Sequence, residues 1–244
     1  MKLAIITGGS RGLGKSLVHT FCNEGYFVIS IARRRLDYKH KNLLNHFRQD
    51  LTDLSAIEKL FVQIDQVVSD HQYQEIILIN NAGIIGDIKT VENSTMNSIS
   101  KTIQINLIVP MVMSSCFLSL LKNKIDINHR IFNISSGASA SPYYGWSAYC
   151  SSKSGLEMFS KVLAKEEINN KKFKSLCIKP GVVDTDMQSE IRNSSEKDFK
   201  EVQRFIELKN SNKLFSPDFS AKKIFEIHQK DDYLSGESID IRDI

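Results

Sequence analysis

Three side chains suited to proton transfer are spaced so that a folded chain could bring them together. An apolar run, Arg130–Ile134, ends in Ser135-Ser136, and Tyr149 and Lys153 follow four positions apart. On a helix, positions i and i+4 share a face. A free phenol has a pKa of about 10 and is a poor acid or base at neutral pH. A nearby ammonium favours the phenolate and lowers that value. A serine hydroxyl can orient a carbonyl oxygen. Ser136, Tyr149 and Lys153 together suit protonation of an oxygen while hydride arrives at the attached carbon. Tyr-x-x-x-Lys alone occurs on many helix surfaces, so the pair needs supporting features. A serine-hydrolase reading is weaker, because no G-x-S-x-G elbow surrounds Ser136.

Thr7 to Ser16 reads TGGSRGLGKS. Gly9-x-x-x-x-Gly14-Lys15-Ser16 satisfies the P-loop pattern, and Thr7-Gly8-x-x-x-Gly12-x-Gly14 is a dinucleotide-binding turn. Both put backbone N–H groups and the positive end of a helix against a phosphate. The first implies phosphoryl transfer, the second hydride transfer. A P-loop protein needs an aspartate at the end of a second strand to hold magnesium. Here the strongest strand, Glu75–Asn80, runs into Asn81-Ala82-Gly83, and an amide is a poor substitute for that carboxylate. The strand Tyr26–Ala32 ends in Ala32-Arg33-Arg34, with no acid for a ribose 2′-hydroxyl. A guanidinium can bind a 2′-phosphate bidentately. The expected cofactor is therefore NADP(H), with its phosphates on Gly8, Ser10, Gly12, Leu13 and Gly14 and its 2′-phosphate near Arg11 and Arg33. No metal site is indicated.

The elements that must position these residues alternate. Apolar runs at Lys2–Thr7, Tyr26–Ala32, Leu44–Arg48, Glu75–Asn80, Arg130–Ser135, Lys174–Lys179 and Ser238–Ile241 read as strands. Stretches at Lys15–Glu24, Ser55–Ser69, Met96–Leu121, Ala148–Asn169, Asp198–Leu208 and Asp218–Gln229 read as helices. The order implies an α/β, doubly wound Rossmann fold: one domain spanning residues 1–244, with a seven-stranded parallel sheet. Thr185 to Asn212 breaks the rhythm, long and charged, and is read as a substrate lid.

The chain has 244 residues, 41% hydrophobic and 25% charged, with a net charge of +4. No basic stripe suggests nucleic acid. The cysteines, Cys22, Cys116, Cys150 and Cys177, are scattered and read as reduced thiols of a cytoplasmic protein. The longest apolar stretch, Ile103–Leu121, is broken by Gln104, Asn106, Pro110 and three serines, so no membrane span is expected.

TGGSRGLG, NNAG, Asn106, Ser136, Tyr149-x-x-x-Lys153 and Pro180-Gly181-Val182-Val183-Asp184-Thr185 together resemble the short-chain dehydrogenase/reductase family along nearly the whole chain. The resemblance implies that Tyr149 donates the proton and that Lys153 binds the nicotinamide ribose and tunes Tyr149. It implies that Ser136 holds the substrate carbonyl and that Asn106 supports a water-linked proton path through Lys153. Ala32, Arg33, Asp50 and Leu51 would surround the adenosine, with Asn81, Ala82 and Gly83 along the cofactor. Pro180, Gly181, Val183 and Thr185 would lie at the nicotinamide, and Asn80 would be structural. Pairing through the two long helices implies a homodimer or a tetramer.

Within the family, Asn133-Ile-Ser-Ser, Gly145-Trp146-x-Ala-Tyr149-Cys150 and Pro180-Gly-x-x-Asp184-Thr-Asp-Met187-Gln188 resemble the branch holding sepiapterin reductases and bacterial benzil reductases. Pro142-Tyr-x-Gly-Trp146 and the stretch Gln188 to Pro217 favour the benzil side. That implies reduction by NADPH of one carbonyl of an aromatic 1,2-diketone to the hydroxyketone. The tail Ser235-Gly236-x-x-Ile239-Asp240 resembles the pterin side, where an aspartate anchors the substrate, and Asp240 fits that position. Tyr144 and Trp146 would form an aromatic wall for either small-molecule carbonyl substrate. A non-catalytic NADP-sensing regulator would need none of Ser136, Tyr149 and Lys153, and all three are present.

Overall fold

Strands that are apolar at every position need cover on both faces. In β1 (Lys2–Thr7), Leu3 and Ile5 enter one core and Ala4 and Ile6 the other, all fully buried. The computed structural model describes residues 1–35, 43–124 and 126–244. In chain order the elements after β1 are α1 (Gly12–Asn23), β2 (Phe27–Ala32), β3 (Leu44–Arg48), α2 (Leu54–Ser69), β4 (Glu75–Asn80), α3 (Met96–Ile103), α4 (Val109–Leu121), β5 (Asn128–Ile134), α5 (Ser147–Glu166), β6 (Phe173–Lys179), α6 (Asp186–Arg192), α7 (Val202–Asn210), α8 (Pro217–Lys230) and β7 (Ser238–Asp240).

The strands form one parallel sheet, ordered β3-β2-β1-β4-β5-β6-β7. Helices α1 and α8 cover one face, and α2, α4 and α5 the other. The chain winds outward from β1 to β3, then returns to β4 beside β1. The crevice at the carboxyl ends of β1 and β4 is thus the switch point where open α/β sheets bind ligands.

The expected strands are all present, with ends shifted by one or two residues. Two helices differ. Met96–Leu121 is not one regular helix: α3 and α4 are joined by a π-helical turn at Gln104–Ile108. Pro110 has no N–H to return to the Asn106 carbonyl, and Val109 N–H reaches back to Gln104 instead. By length and hydropathy this run is sufficient to cross a membrane, yet Met113, Phe117 and Leu121 are packed into the core. The helix expected from Asp198 begins at Val202, because Ser195 and Asp198 close a turn first (Oγ to carboxylate, 2.6 Å). The short α6 ahead of it had no separate signal.

Opposite the switch point, at the amino end of β4, Glu75 sits in a buried polar cluster. Its carboxylate accepts from the Tyr26 hydroxyl at 2.6 Å and lies 3.1 Å from His228 Nε2. Burial alone would raise the carboxyl, but the His228 and Tyr26 contacts hold it at about 2, below its ordinary 4.5. A carboxyl depressed on folding adds stability in full above its unfolded value, and that stability is lost as pH falls toward the folded one. Between pH 4.5 and 2 the protein should therefore lose on the order of 2–3 kcal/mol through this group. Urea midpoints measured across that range should fall less steeply in Glu75→Gln than in the wild type; parallel slopes would refute the assignment.

Candidate active site

The glycine turn and the end of β4 are clamped together. Thr7 Oγ1 accepts the N–H groups of Asn81 and Ala82, each at 3.0 Å, and Asn81 Nδ2 donates to the Thr7 carbonyl at 3.0 Å. The backbones approach so closely that a Cβ on Gly8 would stand 3.0 Å from Ala82 Cα, and one on Gly14 would overlap the Gly8 carbonyl. Gly8 also has φ +70°, which favours glycine. Backbone donors and the start of α1 thus face the crevice with no side chain in between, as a bound pyrophosphate requires. Ser16 is buried and its hydroxyl donates to Asp218 on α8, and neither Lys15 nor Ser16 lines the crevice. The P-loop pattern is therefore a coincidence of spelling.

One cleft of about 510 Å³ runs along the carboxyl ends of the strands. The predicted cofactor residues Gly8, Ser10, Arg11, Gly12, Leu13, Gly14, Ala32, Arg33, Asp50, Leu51, Asn81, Ala82, Gly83, Pro180, Gly181, Val183 and Thr185 all line it, as do Ser136, Trp146, Tyr149, Lys153 and Asp240. Arg33 is exposed at the end of β2, with Arg34 beside it on the cleft wall. Asp50 accepts from the backbone N–H and hydroxyl of Thr52, which holds its carboxyl below the usual range. Arg11 departs from expectation. Its guanidinium donates to Asp186 at the start of α6, 2.5 Å away, because that carboxylate faces it across the cleft.

Ser136, just beyond β5, accepts the Ala138 N–H at 3.2 Å. Tyr149 and Lys153 lie on the buried face of α5. Burial pushes the Tyr149 phenol up to about 12, against a lowering hydrogen bond with Ser136. Lys153 is 5% exposed, and its Nζ donates to the Ile134 carbonyl at 2.8 Å and lies 5.8 Å from the Tyr149 ring centre. Burial pushes that ammonium down to about 8. The expectation that Lys153 would pull the phenol down is overridden by desolvation, which drives both groups toward their neutral forms. Tyr149 therefore keeps its proton at neutral pH.

Asn106 lies behind the cleft wall, fully buried in the π-turn. It accepts from Ile84 N–H at 2.9 Å, donates to Ile84 C=O at 2.8 Å, and donates to Ser152 Oγ at 3.2 Å. A Cβ added to Gly83 would lie 3.3 Å from its Oδ1 and 3.7 Å from Lys153 Nζ, so the amide and the ammonium flank one glycine. Asn80 donates to Asn133, 2.9 Å away inside the sheet.

At the other end, Trp146 stacks on Phe199 with ring centres 4.6 Å apart and planes 8° apart. Tyr144 is not part of this wall. It is 45% exposed, under the Lys200 ammonium, and Tyr143 takes its place with its ring 4.8 Å from Trp146. Between them and Trp146, Gly145 at φ +81° packs against the Asp198 carbonyl. Asp240 reaches the cleft but is engaged by Arg242 through both carboxylate oxygens, which holds its carboxyl low despite burial. Helices α6 and α7 add Gln188, Arg204 and Phe205, which the sequence reading did not single out. Gln188 stands inside a quoted motif, but an uncharged amide there carried no chemical signal.

The short chain dehydrogenase family pattern matches residues 2–196. A benzil reductase ((S)-benzoin forming) of Bacillus cereus is 37% identical over 250 residues, covering 99% of each chain. A sepiapterin reductase of Xenopus tropicalis is 30% identical over 257 residues, covering 99% of this chain and 96% of its own. The crystal structure of the KRED1-Pglu enzyme superposes with a TM-score of 0.85 at 26% identity, covering 98% of this chain and 100% of that one. Structures of this fold have been solved with NADH and with NADPH.

Asn106→Ala would orphan both backbone groups of Ile84 next to the cleft. Each buried orphan costs about 1–3 kcal/mol, so a loss of about 2–4 kcal/mol in urea denaturation is expected. An unchanged midpoint would show that the amide is not holding this loop.

Proposed function

The chain belongs to the short-chain dehydrogenase/reductase family of oxidoreductases, and from that premise we propose that it is an NADPH-dependent carbonyl reductase acting on one carbonyl of an aromatic 1,2-diketone such as benzil. The observation that carries this reading is that Tyr149 and Lys153, on the buried face of α5, share one cleft with Ser136, Tyr143, Trp146 and Phe205. NADPH, when bound, supplies a hydride to the carbonyl carbon. Negative charge then grows on the carbonyl oxygen, and Tyr149 gives its proton there while Ser136 orients the oxygen. Lys153 holds positive charge beneath the phenol and offers N–H donors to the nicotinamide ribose. Residues 185–212 act as the lid, with Phe199, Val202 and Phe205 buried against Trp146 and Tyr149 to keep water out.

The choice of NADPH rests on Arg33 and Arg34 at the end of β2, with no acid among residues 32–34. The choice of diketone over pterin rests on Asp240, whose carboxylate is already engaged by Arg242. Apolar side chains exposed on the two long helical segments, Met111, Met158 and Val162, support a homodimer. Four unbridged cysteines fit the reducing cytoplasm.

NADPH oxidation against a panel of benzil, other 1,2-diketones and sepiapterin should show turnover of the diketones. A wide preference for sepiapterin would reverse the substrate assignment. In Tyr149→Phe, turnover should fall by about 10²–10⁴-fold with NADPH binding intact; near-wild-type kcat would remove the phenol from the mechanism. Arg33→Ala should weaken NADPH binding by about tenfold or more, read by fluorescence titration, and leave NADH binding nearly unchanged. Equal loss for both cofactors would overturn the 2′-phosphate assignment.

A further inference from the structure

Resting on the diketone reading above, we propose that Gln188 is a substrate-positioning residue whose side-chain amide donates to the second carbonyl oxygen of the dicarbonyl, the one that is not reduced. Gln188 stands in the first turn of α6, its N–H returned to the Thr185 carbonyl. The residue is 7% exposed and lines the same cleft as Tyr149 and Trp146. Its amide oxygen is sealed from solvent without a hydrogen-bond partner. Among the described residues the amide nitrogen makes no hydrogen bond to protein, and, unlike the oxygen, it is not sealed from solvent at the cleft that Gln188 borders.

The carboxylates nearby are occupied: Asp186 is taken by Arg11 and Asp240 by Arg242, while Arg204, over the Phe205 ring, donates to the Tyr143 hydroxyl at 3.5 Å. Like the Trp146 indole N–H, Gln188 brings a polar group with no protein partner among the described residues to the substrate end. A buried amide without partners is costly, and native structures rarely keep one without a reason.

A vicinal dicarbonyl supplies that reason. When one carbonyl sits at Ser136 and Tyr149, the other projects from the adjacent carbon and leaves water as the substrate enters. It then needs a donor, and the surroundings, Val182, Met187, Ile191 and Phe205, are apolar. The amide can turn about its terminal bond, so the carbonyl selects its N–H end. Fixing the second oxygen also fixes which face of the reacting carbonyl meets the hydride, and hence the product enantiomer.

The test compares benzil with deoxybenzoin, which has the same two rings and a single carbonyl, in wild type, Gln188→Leu and Gln188→Met. NADPH titration of each variant confirms an intact cofactor site. The expected result is an about 10–100-fold loss of kcat/KM for benzil, mostly in KM, with eroded enantiomeric excess of benzoin, and a change within about threefold for deoxybenzoin. Equal losses on both substrates in both variants, or unchanged benzil kinetics and enantiomeric excess, would overturn the inference. Wild-type enzyme that ignores benzil altogether would sink the diketone reading and this inference with it.

Discussion

An ammonium group almost wholly removed from water needs an oxygen within reach, and Lys153 finds one in the Ile134 carbonyl, 2.8 Å away at the end of β5. Much of the surrounding structure follows from meeting that demand. Helix α5 must lie close to the sheet, and the residues it buries alternate large and small: Tyr149 and Lys153 with Ser152, Leu156 with Ser160. Ser152 donates to the Tyr149 carbonyl and accepts from Asn106, and Ser160 accepts from Asn133 inside the sheet. Asn106 can reach inward because the π-turn before Pro110 rotates it there. Helix, sheet and π-turn are thus tied by polar contacts around one buried charge.

The same burial sets the resting protonation of the pair. Desolvation raises the phenol to about 12 and lowers the ammonium to about 8, each toward neutrality. The neutral phenol is the form burial favours, and in that form it can serve as a general acid. Ser136, beside it in the cleft, pulls the phenol the other way.

The sheet order and the tight glycine turn were legible because they rest on local patterns. Runs such as Ile76 to Ile79, buried on both faces, can hardly be anything but a central strand, and the close approach at Gly8 and Gly14 excludes a Cβ. Tyr149 and Lys153 were legible because i, i+4 spacing survives any packing. What was not legible depends on partners distant in the chain. Arg11 reads as a phosphate ligand, and nothing local shows that its guanidinium also meets Asp186, far along the sequence. Tyr143 and Tyr144 differ in no sequence property that says which one turns inward; Gly145 and the Asp198 carbonyl decide it. The shift of the Tyr149 phenol had the wrong predicted sign, because spacing shows the neighbouring charge but not the depth of burial.

These distant pairings also divide the cleft electrically. Beside the end of β2, Arg33 and Arg34 form no ion pair among the described residues, and both are exposed on the cleft wall. Past the glycine turn, opposite charges cancel in sequence: Arg11 with Asp186, Asp184 with Lys209, Asp240 with Arg242. What remains at the far end is aromatic surface, a phenol, a serine hydroxyl, an amide and the Arg204 guanidinium. A ligand charged at one end and flat, neutral and oxygen-bearing at the other matches that division. A cationic ligand would have to break an existing ion pair before gaining one, and the exchange returns little in a partly dry site.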